Sequence, residues 1–211
     1  DYGSAVMRGM QDGGVVACAK HFPGHGDTEV DSHKALPVLK FPKERLDSVE
    51  LYPFRRLIKD GVEMVMVGHL LVPVLDTLPA SVSKVVVTDL LRKKMKFRGL
   101  IITDALGMEG VLEPFGGSGA KATLAAYKAG VDILLMPDNV SESIDLIVDY
   151  IGDDRRRLKD LDARVSRVLA LKGKCGKLTG RDDLSVDPAA VDTKGTDALI
   201  TTIEETLAAG R

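Results

Sequence analysis

The sequence has no tryptophan, only two cysteines and only four histidines in 211 residues. Aromatic residues make up 4% of the chain, which argues against the long stacking platforms that hold polymeric sugars. Cys18 and Cys175 do not make a disulfide framework, and Cys18 falls in a predicted strand, where a thiol is usually a small core residue. The cysteine content is therefore consistent with a reducing compartment.

Strong net charge and long apolar runs are missing as well. A formal net charge of −2 gives no electrostatic reason to expect nucleic acid or an anionic membrane as a partner. No apolar run approaches the ~20 residues that span a bilayer. No signal peptide is visible, but the chain does not begin with methionine, so we expect that its true start was removed. A cytoplasmic location is favoured, and periplasmic or secreted locations stay open.

Short apolar segments alternate four times with helical patterns along the chain. The predicted strands cover residues 15–19, 64–67, 100–103 and 131–135. The predicted helices cover residues 1–11, 47–60, 84–96, 120–129, 141–151 and 155–173. Ser83 is predicted to cap the third and Gly130 to end the fourth. The residues predicted to face the core in the last are Leu158, Leu161, Val165, Val168 and Leu169. Strands that are apolar on both faces and alternate with helices are typical of a parallel sheet covered by helices.

Each predicted strand runs into polar residues at its carboxyl end. These are a histidine-rich segment, His69, Asp104 and the pair Asp138-Asn139. Functional groups gathered from several strand ends favour an α/β TIM barrel, (β/α)8, over an open doubly wound sheet. A closed barrel takes eight strands and ~250 residues. With four strands, the sequence predicts the second half of a barrel over residues 1–176, then a linker and C-terminal helix over 177–211.

Half a barrel leaves two sheet edges and an apolar interior uncovered. We therefore expect the chain to be a fragment, or to be completed by a second chain or a second copy. A stable monomer in solution would count against that expectation.

The histidine-rich segment, residues 20–33, reads KHFPGHGDTEVDSH and contains three of the four histidines. Pro23, Gly24 and Gly26 break regular structure, and a loop that follows a buried strand can aim polar side chains into a cleft. The segment is therefore predicted to form an active site. A metallohydrolase is one alternative, because nitrogen and oxygen ligands for zinc or manganese are offered by His21, His25, Asp27, Asp31 and His33.

Two spacings support acid–base chemistry at this site. Asp31 and His33 are two residues apart, so in an extended loop their side chains point the same way, with Cα atoms ~6.5 Å apart. A carboxylate in that position can select the imidazole tautomer and favour its protonated form. Asp104 follows the stiff apolar strand 100–103, which fixes its position.

The chain resembles glycoside hydrolase family 3, most closely its β-N-acetylhexosaminidase branch. The resemblance runs from about residue 2 to residue 176 and rests on KHFPGHGDT (20–28), DSH (31–33), PAS (79–81), FRGLIITDALGM (97–108), AGVDILLMP (129–137) and RVLALK (167–172). It implies a (β/α)8 barrel and retaining hydrolysis of terminal β-linked N-acetylglucosamine. By the same resemblance, Asp104 would be the nucleophile and His33 the general acid/base, oriented by Asp31.

The remaining site candidates concern the sugar. Lys20 and His21 would hold its hydroxyl groups, and His69 and Met108 complete the predicted substrate-binding set. No cofactor and no metal are expected, and the partner is a small carbohydrate containing N-acetylglucosamine, for the family often a muropeptide in peptidoglycan recycling. Two questions stay open: whether water or phosphate accepts the sugar, and whether the chain is instead a truncated, non-catalytic sugar-binding or assembly half.

Overall fold

The computed structural model describes residues 1–26, 36–175 and 201. The chain divides into two units, Asp1–Gly176 and Lys177–Arg211, and the fold described below is that of the first unit.

The core of this unit is a three-stranded parallel sheet in the order β1-β2-β3. The strands are β1 (Cys18–Phe22), β2 (Met64–Val67) and β3 (Leu100–Thr103). Val67 pairs with Phe22 on one side and Thr103 on the other, so all three carboxyl ends lie at the same edge. The predictions for β2 and β3 are confirmed at the predicted bounds. Both strands are short apolar runs with a glycine directly on one side, Gly68 after β2 and Gly99 before β3.

The first strand begins three residues later than predicted. Val15 donates its backbone N–H to the Met10 carbonyl at 2.9 Å and so closes the end of the first helix instead of pairing in the sheet. Strand β1 therefore extends to Phe22, and Lys20 and His21 lie on the strand itself rather than in a loop.

The predicted fourth strand, residues 131–135, is reduced to one parallel bridge between Ile102 and Ile133. The Leu135 N–H donates to the Thr103 side-chain hydroxyl at 3.0 Å, so a side chain replaces the backbone acceptor that a regular ladder would use. The α/β class with a parallel sheet is confirmed, and half of an eight-stranded barrel stays a prediction.

Helices surround the sheet in the order expected from the sequence. Their bounds are α1 (Tyr2–Asp12), α2 (Lys43–Arg45), a π-helical turn (Leu46–Glu50), α3 (Leu51–Lys59), a 3₁₀ turn (Ala80–Val82), a π-helix (Val85–Lys94), α4 (Glu109–Leu112), a 3₁₀ turn (Glu113–Phe115), α5 (Gly119–Ala129), α6 (Val140–Ile151) and α7 (Arg155–Lys174). Within the described ranges, none of them is both long and apolar enough to cross a membrane.

The start of the π-helix agrees with its predicted cap, and the start of the helix predicted over residues 47–60 does not agree with its predicted position. The Ser83 hydroxyl accepts the Val86 N–H at 3.1 Å and caps its helix as predicted. The helix predicted from residue 47 begins instead at Lys43, and Pro53 lies well inside it. The hydrogen-bond pattern widens to a π-helical turn just before this proline, which has no N–H to donate, and the helix continues through it.

The inward face predicted for α7 is wrong in part. Leu161 and Val168 are half-buried, but Leu158, Val165 and Leu169 are 41%, 46% and 45% exposed. Arg164 is buried instead. The Arg164 guanidinium donates to the carbonyl oxygens of Tyr127 and Val131 at 2.8 and 2.6 Å. These carbonyls lie at the end of α5 and just beyond it, and their hydrogen bonds turn the arginine face of α7 toward the fold.

The amino end of β3 rests on a buried carboxylate. The Asp132 side chain is fully buried and accepts from Arg92 Nη2 at 2.6 Å and from Arg167 Nη2 at 2.7 Å. It also accepts the backbone N–H of Ile101 at 2.8 Å. One carboxylate therefore joins β3, the π-helix and α7 at the end of the sheet opposite the predicted site.

Candidate active site

The carboxyl ends of β1, β2 and β3 bring three predicted site residues together. His21 lies on β1, His69 follows β2 by two residues, and Asp104 directly follows β3. Because the strands are parallel and adjacent, their ends deliver these side chains to one edge of the sheet.

Asp104 is fixed at both its backbone and its side chain. Its N–H donates to the Val67 carbonyl at 2.9 Å, and its Oδ1 accepts the Ala105 N–H at 2.9 Å. Its Oδ2 lies 3.6 Å from His21 Nε2, longer than a hydrogen bond and within ion-pair range when the imidazole is protonated. The Asp104 side chain keeps 18% of its surface exposed, so the carboxylate is held in place and still reaches solvent.

His21 packs closely against Gly68. A Cβ on Gly68 would lie 3.0 Å from the His21 Cβ, and the Gly68 N–H donates to the Phe22 carbonyl at 2.9 Å. The His21 ring also meets the His25 ring edge-to-face, with centroids 5.7 Å apart. The Lys20–His21 and Phe22–Pro23 peptide bonds are both cis.

A cavity of about 470 Å³ adjoins this end of β1. Its lining includes Lys20, His21 and His25 together with Glu50 from the π-helical turn. A second cleft, of about 380 Å³, lies at the amino ends of β2 and β3, is lined by Phe97 and Arg98 among others, and includes no predicted site residue. The cavity beside β1 is therefore lined by the two predicted sugar-binding residues of that strand, Lys20 and His21, while Asp104 lies outside its lining.

His69 is enclosed by the protein. It is 1% exposed, its Nδ1 lies 2.6 Å from the Ser81 hydroxyl, and its Nε2 lies 2.9 Å from the Ala105 carbonyl oxygen. Burial lowers the pKa of His69; the hydrogen bond to Ala105 and the charge of Asp104 oppose that effect, and nearby His21 adds to it. The ring is therefore neutral near neutral pH, and both of its nitrogens are used inside the protein.

Of the remaining predicted site residues, two lie within the described part of the chain and two lie outside it. Lys20 is exposed on β1, and Met108 is 9% exposed and donates its N–H to the Ala105 carbonyl at 3.1 Å. Asp31 and His33, the predicted acid–base pair, lie outside the described residues. Asp27 does so too, and the described ranges contain no group of three or more His, Cys, Asp or Glu side chains arranged to hold a metal ion.

Two supporting residues were missed by sequence reasoning. Ser81 fixes the His69 ring, and its only sequence signal is its position in the PAS segment (79–81). Glu50 packs its Cβ where a side chain on Gly24 would lie, at 2.7 Å, and so supports the turn that leads to His25. Glu50 is 8% exposed, and a carboxylate buried to that extent marks a supporting contact that no local pattern reveals.

A family model and curated relatives match the chain. The model for the glycosyl hydrolase family 3 N-terminal domain matches residues 1–171. Beta-hexosaminidase A of Pseudoalteromonas piscicida is 32% identical over 194 residues, which cover 82% of this chain and 32% of the relative.

Two solved structures have the same fold over most of the chain. A glycoside hydrolase family 3 beta-N-acetylglucosaminidase from Paenibacillus sp. str. FPU-7 matches with a TM-score of 0.77 and 35% identity, covering 88% of this chain and 36% of that one. The beta-glucoside phosphorylase BglX matches with a TM-score of 0.75 and 27% identity, covering 85% of this chain and 34% of that one. The chain spans about a third of the length of these relatives.

Proposed function

This chain belongs to glycoside hydrolase family 3, and on that basis we propose that it carries the reactive centre of a retaining β-N-acetylhexosaminidase. The substrate class is a carbohydrate that ends in β-linked N-acetylglucosamine, as the names of the matched relatives suggest. The observation that carries the proposal is the Asp104 carboxylate, held by the Ala105 N–H at the end of β3 and facing His21 at 3.6 Å.

The reaction takes two steps in this proposal. The Asp104 carboxylate attacks the anomeric carbon while His33 gives its proton to the departing glycosidic oxygen, which leaves a glycosyl-enzyme. His33 then removes a proton from water, and the hydroxide oxygen displaces Asp104 from the anomeric carbon. Asp31 orients the His33 ring in both steps. The proton that His33 gives up in the first step is replaced by the one it takes from water in the second.

The sugar is held by β1 in this scheme. Lys20 and His21 donate hydrogen bonds to its hydroxyl groups, which places the anomeric carbon against the Asp104 carboxylate. The 3.6 Å separation of His21 Nε2 from Asp104 Oδ2 supports this role, because it places the imidazole close enough to contact the sugar while the carboxylate faces the anomeric carbon.

Release of p-nitrophenol from its β-N-acetylglucosaminide tests the nucleophile. Asp104→Ala is expected to abolish release, and Asp89→Ala, an exposed carboxylate on the π-helix, is the matched control and should keep it. His33→Ala should slow substrates with poor leaving groups far more than activated ones. Equal losses on both substrate types would exclude His33 as the acid.

The acceptor can be tested in the same assay, because one match is a phosphorylase. In phosphate buffer, free N-acetylglucosamine as the product supports hydrolysis. If the product is N-acetylglucosamine 1-phosphate, phosphate rather than water is the acceptor.

We further propose that β1, β2, β3 and residues 131–135 are four consecutive strands of an eight-stranded barrel. Their parallel order follows the order of the chain, and their polar residues share one edge. The alternative is a non-catalytic sugar-binding or assembly half that needs a partner chain. Sugar binding without turnover would support that alternative, and a stable, active monomer in size-exclusion chromatography would exclude it.

A further inference from the structure

His69 lies between the end of β2 and the turn that follows β3. It is among the largest fully buried side chains, and both of its ring nitrogens contact protein atoms. A ring in this position has no nitrogen to offer a sugar hydroxyl, so its chemistry must act on the protein around it.

The partners of the ring identify its tautomer. The Ala105 carbonyl oxygen can only accept, so His69 Nε2 carries the hydrogen and donates it over 2.9 Å. Nδ1 is then the acceptor, and the Ser81 hydroxyl donates to it over 2.6 Å. Ser81 is fully buried in the 3₁₀ turn Ala80–Val82, so the donor is fixed as well.

Ala105 links this ring to the carboxylate. Its N–H donates to Asp104 Oδ1 at 2.9 Å, while its carbonyl oxygen accepts from His69 and from the Met108 N–H at 3.1 Å. The next residue, Leu106, donates to the Leu135 carbonyl at 2.9 Å. The turn is therefore held from three sides, and the His69 ring supplies one of these contacts.

We propose that His69 is a positioning residue, which holds the Asp104 carboxylate in its attacking orientation through the Ala105 residue and does not touch the sugar. The role rests on the proposed function of Asp104 as nucleophile. The network runs Ser81 to His69 to Ala105 to Asp104, and each member fixes the next by one hydrogen bond. Burial of the ring keeps it neutral, which this pattern of one donor and one acceptor requires.

The first test follows the link without using turnover. In the full chain labelled with ¹⁵N, the Ala105 amide signal reports its hydrogen bond to Asp104, and Asp104→Asn identifies the shift that accompanies a change there. His69→Leu is expected to move the Ala105 signal, and His69→Gln, which keeps an N–H near the Nε2 position, should return it toward the wild-type position. An Ala105 signal unchanged in His69→Leu would overturn the proposal.

The second test uses kinetics on the p-nitrophenyl substrate. Loss of a residue that orients a reacting group typically costs about 10- to 100-fold in rate. His69→Leu should therefore lower kcat by that factor with KM nearly unchanged, His69→Gln should recover most of it, and Ser81→Ala should give a smaller loss. A rise in KM with kcat preserved would instead make His69 a sugar contact.

Imidazole ¹⁵N spectra supply a third readout, which also covers a His69→Leu chain that fails to fold. The wild-type ring should show the neutral Nε2–H tautomer at pH 7.5 and still at pH 6.5, because its pKa is lowered. The Nδ1–H tautomer, or titration near 6.5, would overturn the assignment. If Asp104→Ala stays active, the proposed function fails, while the amide and imidazole spectra still decide whether His69 holds Ala105.

Discussion

Removing the charge of Asp132 should destabilise the fold strongly, because this carboxylate pairs with two arginines and also accepts a backbone N–H of β3. Its side chain is 0% exposed, while those of Arg92 and Arg167 are 20% and 30% exposed. Asp132→Asn keeps the shape but removes the charge, and its amide group turns an N–H toward a guanidinium donor. Breaking one partner of a buried ion pair typically costs about 3–5 kcal/mol. Because both arginines are partly exposed, we expect a loss in the free energy of unfolding near the lower end of that range, about 3 kcal/mol.

A loss of about 3 kcal/mol lowers the melting temperature of a chain this size by about 6–12 °C. Urea unfolding followed by circular dichroism measures the loss directly, with the m-value checked for a constant denatured state. The matched control is Asp89→Asn, which removes the same charge from an exposed pair with Lys93 (side chains 48% and 66% exposed) and should barely move the midpoint. Equal midpoint shifts for the two variants would refute the reasoning.

Two further predictions concern the site. Burial lowers the pKa of His69 below its ordinary 6.5, so the folded chain binds a proton on this ring less readily than the unfolded chain does. The contribution of the neutral ring to the free energy of unfolding is therefore complete above pH 6.5 and is lost as the pH falls from 6.5 toward the folded pKa. Unfolding midpoints between pH 7.5 and 5 should show that loss in the wild type and a flatter profile in His69→Gln; parallel profiles would contradict it. Gly24→Ala should destabilise more than Gly116→Ala, since both residues have positive φ (137° and 63°) but only a Cβ on Gly24 meets Glu50, at 2.7 Å. Equal unfolding midpoints would show that Glu50 does not restrict this turn.

Sequence reasoning succeeded where the signal is local. The strands Met64–Val67 and Leu100–Thr103 are short apolar runs, and the cap at Ser83 and the helix stop at Gly130 depend on single residue types. Gly130 adopts φ +108°, a conformation that glycine enters without a Cβ clash. The family resemblance, carried by contiguous motifs, is confirmed by the match over residues 1–171.

It failed where contacts join distant parts of the chain. Arg167 meets Asp132 across 35 positions, and hydropathy alone assigns such an arginine to solvent. The sequence predicts a sugar contact for His69 because it follows a strand, and that stays a prediction; its hydrogen bond to Ala105, 36 residues away, is visible only in the folded chain. In both cases the decisive quantity is a hydrogen bond to a buried partner, which no periodicity encodes.

The position of Asp132 at the amino ends of the strands has a consequence for how this fold can change. Asp132 bonds to Ile101, three residues before Asp104 along β3, which corresponds to about 10 Å at ~3.3 Å per residue. Substitutions among the residues that follow the strands can then alter substrate choice without disturbing the buried charges below. A library randomised only at the residues that follow the strands would therefore test new substrate specificities while the Asp132 ion pairs stay unchanged.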